Sequence, residues 1–182
     1  VLLMLLLTAC KDDRLDVDIS GIQAKPMECQ RLDQDLFKAN PDNVKEVSKG
    51  ILSNYGTFFE HYVMNLLKVN GTADSLYSEK LLSFVQDRDI TGAQKQVQKI
   101  YTAEEMKKIS DELNDCVKRY KYHFPKRKVP SKFVSCLSGW NYAFAYTDST
   151  LVSSLDMYLG DTCIYYQMLQ LPNLRTRYMN KN

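Results

Sequence analysis

Tyr55, Phe58, Phe59, Tyr62, Val63, Leu66 and Leu67 recur at intervals of three and four residues, the period of a helix with one wide apolar face, and Asn70-Gly71 offers it a stop. Before it, Asn40-Pro41 reads as a helix start, a capping side chain followed by proline at the first helical position, with Val44, Val47 and Ile51 on one face. After it, Asp74 or Ser75 opens a helix bearing Tyr77, Leu81, Phe84 and Val85. Thr91-Gly92 is expected to interrupt that helix before Ala93, Val97, Ile100 and Tyr101 resume the period. Thr102 and Glu105 form a capping box, and Met106, Ile109, Leu113, Val117 and Tyr120 extend a stripe over several turns until Pro125 stops it.

From Val129 the period changes from helical to two. Phe133, Ser135 and Leu137 alternate with Val134 and Cys136, then Tyr142, Phe144 and Tyr146 alternate with Ala143 and Ala145. Leu151 to Leu159 reads as a third strand, with Asp156 and Tyr158 on its polar face. Ser138-Gly139 and Thr147-Asp148-Ser149 read as the turns between them. Shorter extended pieces are expected at Val17–Ile22 and through Met27 to Leu32, and short helices over Ile164 to Leu169 and from Leu174 to Met179, separated by Leu171-Pro172. The fold class is α+β, a mostly helical N-terminal half followed by a small antiparallel sheet. A helical block, an antiparallel strand group and a following helix is also the order of a zincin-like domain, here truncated.

The N-terminus adds a compartment. Val1 to Leu7 is an unbroken aliphatic run, and Leu7-Thr8-Ala9-Cys10 has the large-small-small-Cys order that a lipoprotein signal peptidase requires. Residues 1–9 then are the signal's apolar region and lipobox, 10–16 a tether lipidated at Cys10, and 17–182 one globular domain, expected to be truncated at its C-terminus. Val1 is not read as the biological start. Lys+Arg at 24 against Asp+Glu at 22 leaves a formal charge of +2, which calls for no nucleic-acid partner. With Cys10 acylated, Cys29, Cys116, Cys136 and Cys163 remain, and their uneven spacing favours free thiols over a disulfide framework.

Several strings occur together in one order: Arg31-Leu32-Asp33-Gln34-Asp35-Leu36-Phe37, Tyr55-Gly56-Thr57-Phe58-Phe59-Glu60-His61-Tyr62, Phe124-Pro125, Leu155-Asp156-Met157-Tyr158-Leu159-Gly160, Tyr165-Tyr166 and Leu171-Pro172. With the lipobox, they resemble the gliding-motility lipoprotein GldB family of the Bacteroidetes from about Ile19 to the last residue. The resemblance implies a cell-envelope role in a gliding-motility or associated secretion assembly, and a family domain that continues past Pro172. Lys11-Asp12-Asp13 resembles the acidic export tag of lipoproteins in that phylum, which implies the outer membrane. Ser153-Ser154 departs from the family pattern, which usually carries a glycine there.

Asp156 and Tyr158, a carboxylate two residues from a phenol, are candidates for an interaction site, set against a structural role in fixing neighbouring backbone. Trp140 is a candidate contact anchor, or else closes the edge of a core. Arg31, Asp33 and Asp35 read as a cap and an ion pair, and Lys126-Arg127-Lys128 as a solvated loop or one set against lipid phosphates near the anchor. No catalytic residue, metal ligand set or cofactor is called for. The two histidines, His61 and His123, lie far apart in sequence and lack the four-residue spacing of a helical zinc site. The reading is therefore a membrane-anchored, non-enzymatic envelope lipoprotein whose partners are membrane lipid and envelope motility or secretion proteins. Its alternative is a zincin-like metallopeptidase relative whose active-site helix lies beyond this stretch.

Overall fold

The computed structural model describes residues 16–181. A four-stranded sheet in the order β1-β2-β4-β3 lies between two groups of helices. β1 (Glu28–Arg31), β2 (Lys132–Cys136) and β4 (Thr150–Ser154) run parallel, with Phe133 opposite both Cys29 and Leu151. β3 (Phe144–Tyr146) pairs antiparallel with β4 at one edge, Ala145 opposite Val152. The α+β class stands, but the sheet is mixed rather than antiparallel. Ser138-Gly139 does not make a hairpin turn. Gly139 and Trp140 both take φ near 60°, and the loop they form carries the chain past β4's position before β3 turns back through Thr147-Asp148-Ser149. β4 therefore enters beside β2 in parallel.

Central strands covered on both faces need apolar or small residues throughout, and Phe133 to Cys136 of β2 are all buried. One face of the sheet, with Val134, Cys136 and Val152, packs on α2 (Val44–Tyr55), α3 (Thr57–Leu67) and α4 (Tyr77–Gln86) through Ile51, Phe59, Val63 and Leu81. The other face, with Phe133 and Leu137, packs on α5 (Arg88–Ile100) and α6 (Ala103–His123) through Ala93, Val97 and Met106. Burying side chains such as Phe59 and Leu81 completely contributes about 1.5–3 kcal/mol each. The predicted stripes are thus the faces that meet the sheet.

Several boundaries differ from the sequence pattern, each for a local reason. α2 starts at Val44, because the Asn40 side chain accepts from the amides of Asp42 and Asn43 and closes a separate turn first. Asp87, not Thr91-Gly92, marks the break between α4 and α5: its Oδ1 accepts from the amides of Asp89 and Ile90 at 2.9 Å. Gly92 lies inside α5, where a Cβ would sit 2.0 Å from the Tyr165 hydroxyl oxygen. Close packing, not helix termination, accounts for that glycine. Thr102 caps α6 as expected, its hydroxyl accepting from the Glu105 amide at 3.3 Å, while the Glu105 carboxylate pairs with Lys181. The Val17–Ile22 alternation forms no strand; Asp18 Oδ1 accepts from the Ser20 amide in a side-chain turn. A short helix α1 (Leu32–Asp35) follows β1, and α7 (Ile164–Met168) and α8 (Asn173–Thr176) close the described chain.

Candidate functional site

The C-terminal ends of the parallel strands converge on buried polar groups. After β1, Asp33 lies in α1 with its side chain fully buried, held by Arg31 in two parallel contacts at 2.8 and 2.6 Å and by the Ser135 hydroxyl from β2. Such a forked pair satisfies both carboxylate oxygens, which a buried charge requires. Asp35 points away from it, accepting from Tyr55 at 2.7 Å and from exposed Lys38 at 2.6 Å.

After β4 the chain departs from the strand it is patterned for. Leu155–Met157 is a 3-10 turn, and Asp156 within it is fully buried. Its carboxylate reaches under the loop that follows β2. The Ser138 amide donates to both oxygens, at 3.2 and 3.1 Å, and the Trp140 amide donates to Oδ2 at 2.9 Å. Successive amides with left-handed residues between them form a concave anion cradle, and here the anion is the protein's own side chain. Burial pushes the Asp156 carboxyl up to about 6, against the downward pull of the amides at Trp140, Ser138, Asp156 itself and Gly139. Desolvation outweighs the cradle.

Tyr166 of α7 secures the same stretch from behind. Its hydroxyl donates to the Asp156 carbonyl at 3.0 Å and accepts from the Leu159 amide at 2.8 Å. Beside it Tyr165 stacks on Trp140, ring centroids 4.9 Å apart at 34°. The Trp140 indole N–H is buried and meets no acceptor. On the face of the sheet covered by α2, α3 and α4, Tyr62 donates to the Leu137 carbonyl at 2.6 Å, and the Cys136 thiol lies 3.4 Å from the Ser154 hydroxyl. Burial pushes that thiol up to about 12, so it stays protonated and unreactive at neutral pH.

Of the three interaction candidates, Asp156 and Trp140 are brought together. Tyr158 is not. It follows the 3-10 turn, its carbonyl accepts from Tyr101 at 2.8 Å, and its ring lines a separate cleft of about 280 Å³ with Tyr101, Leu113 and Phe133. The fixed partner of Asp156 is a loop sixteen residues earlier, and the alternating pattern that suggested a shared strand face carried no sign of it. Ser138, Gly139 and Tyr166 are not site candidates by sequence: the Ser-Gly pair reads as an ordinary turn, and Tyr166 enters only through the Tyr165-Tyr166 string.

Cys10 lies outside the described residues. Cys29, Cys116, Cys136 and Cys163 are all unpaired, the first two exposed and the last two buried, as the spacing suggested. His61 sits on α3, at a groove shared with Phe58 and Thr147, and His123 ends α6 against Tyr122 and Phe124. Among the described residues, no group of three His, Cys, Asp or Glu side chains gathers to hold a metal ion, and no helix is long and apolar enough to cross a membrane.

No curated protein and no solved structure matches the chain. The family model described as "Gliding motility protein GldB" matches residues 12–182, nearly the whole chain. It takes in the cradle, the buried Arg31–Asp33 pair and both helical layers. The chain belongs to the GldB family of gliding-motility proteins.

Proposed function

We propose that this chain is a lipid-anchored, non-enzymatic component of a gliding-motility or associated secretion assembly in the cell envelope, held by acyl chains on Cys10. The observation that carries the reading is the Leu7-Thr8-Ala9-Cys10 lipobox on a chain of this family. The two most deeply buried carboxylates support it: Asp156 accepts from loop amides and Asp33 from Arg31 and Ser135, both roles that hold structure. Partner contact is assigned to the open side of β3, the edge strand, whose Phe144 and Tyr146 side chains are exposed. Trp140, positioned by Asp156, and Tyr158 are assigned as further contacts. Lys11-Asp12-Asp13 directs the protein to the outer membrane, and neither cofactor nor nucleic acid takes part.

Deleting the gene in its host and restoring it in trans tests the reading. Colony spreading or surface display of secreted cargo that is lost and regained with the gene supports it. Unaltered spreading and secretion overturn it.

A further inference from the structure

The end of α6 combines aromatic exposure with an unbroken positive stretch. Tyr120, Tyr122 and Phe124 are 43%, 50% and 52% exposed, and the ring centroids of Tyr120 and Phe124 lie 5.0 Å apart, so the two form one apolar plate. The loop that follows, closed by the Arg127 amide on the Phe124 carbonyl at 3.0 Å, presents Lys126, Arg127 and Lys128, all exposed. Lys128 borders an apolar groove shared with Tyr120 and with Tyr146 of β3, which is 78% exposed. No acidic residue occurs in the sequence between Asp115 and Asp148. Among the described residues, Asp115 pairs with Lys118 and Asp16 with Arg119.

The tether starts at the same end. Asp16 lies 3.8 Å from Arg119, one turn and a half before Phe124, and the chain then runs back along α6 until the Met27 amide donates to Asn114 at 2.9 Å. Five residues separate Cys10 from Asp16, a reach of at most about 22 Å. A lipid on Cys10 therefore keeps this tip within reach of the bilayer surface.

We propose that the tip of α6 and its basic loop form a membrane-contact surface, with the lysines and arginine on lipid phosphates and the aromatic rings at headgroup depth. Amphipathic rings beside cations are the side-chain chemistry of that interface. The tethering part of the argument rests on the lipid anchor proposed above; the surface itself does not.

Flotation of the full chain carrying Cys10→Ser tests the surface without acyl chains, with phosphatidylcholine vesicles compared with vesicles containing phosphatidylglycerol. The expected result is binding that needs phosphatidylglycerol and weakens with salt. Replacing Lys126, Arg127 and Lys128 by Ser should lower it about 100-fold, three cations at roughly 1 kcal/mol each. Tyr122→Ser with Phe124→Ser should lower it at constant charge. The apolar N-terminus is common to all variants, so the differences report on the tip. These side chains are exposed, and thermal melts identify any variant that misfolds; the salt dependence of the unmutated tip remains a readout in that case. Equal binding to both vesicle types, or folded variants that bind like the parent, overturns the proposal. Either result leaves the Cys10 anchor standing, and an anchor that fails in cells leaves this binding measurable.

Discussion

The main-chain amide of Trp140 donates to Asp156 Oδ2 at 2.9 Å, and Trp140 is the chain's single tryptophan. The residue best placed to report on the buried carboxylate is therefore the one it holds. Loss or gain of the proton on Asp156 changes the charge beneath the loop that presents the indole, and that loop takes two consecutive left-handed residues to close.

With its folded-state value raised from 3.8 to about 6, the Asp156 carboxyl binds its proton more tightly folded than unfolded. Its contribution to stability is present below about 4, is lost as pH rises to about 6, and amounts to about 3 kcal/mol. Tryptophan emission should titrate with a midpoint near 6, and urea melts should show the stability difference from Asp156→Asn changing over the same window. Emission that is flat from pH 4 to 7 in the unmutated protein would show that the carboxyl is not perturbed as described.

The Arg31–Asp33 pair predicts a different response. Asp33→Ala leaves the Arg31 guanidinium, 17% exposed, without its buried partner, and should cost about 3–5 kcal/mol. Lys38→Ala removes an exposed partner of Asp35 and should change stability by less than about 1 kcal/mol. Urea midpoints of the two variants decide between a structural and an incidental pair.

Gly92 and Tyr165 should be coupled. Alanine inside a helix is favoured over glycine by about 1 kcal/mol, but at residue 92 its Cβ would displace the Tyr165 hydroxyl and loosen the Tyr165–Trp140 stack. Gly92→Ala is expected to alter tryptophan emission with little net gain in stability, and to stabilise by about 1 kcal/mol once Tyr165 is Ala. A double-mutant cycle with no coupling would contradict the packing described.

Thiol labelling separates the cysteines. Cys29 and Cys116 should react within the dead time of an ordinary assay, and Cys136 and Cys163 only on unfolding, because both are buried and burial raises both thiols. Peptide mapping after a short pulse identifies which residues carry the label.

The helical layers were legible in sequence because each buries one stripe against a sheet, and the stripe of Phe59, Tyr62 and Val63 needs no partner to be seen. Caps that act within four residues, Thr102 above all, were equally readable. What was not readable depends on distant partners. Asp156 looks like a strand residue until Ser138 and Trp140 come to it, and Gly92 looks like a helix break until Tyr165 packs on it. The parallel entry of β4 beside β2 has no local signature either, since period two is common to both pairings. For the same reason the cradle has no signature in the sequence, although two of its members, Asp156 and Trp140, stand out there as candidates.

The most direct test of a lipid-anchored motility component is metabolic labelling with palmitate, read together with fractionation and colony spreading in a strain whose only copy carries Cys10→Ser. The predicted result is acyl label on the parent protein and none on the variant, with the variant lost from the membrane fraction and spreading lost with it. A parent protein that takes up no acyl label, or an unlabelled variant that stays with the membrane and spreads like the parent, would contradict the account.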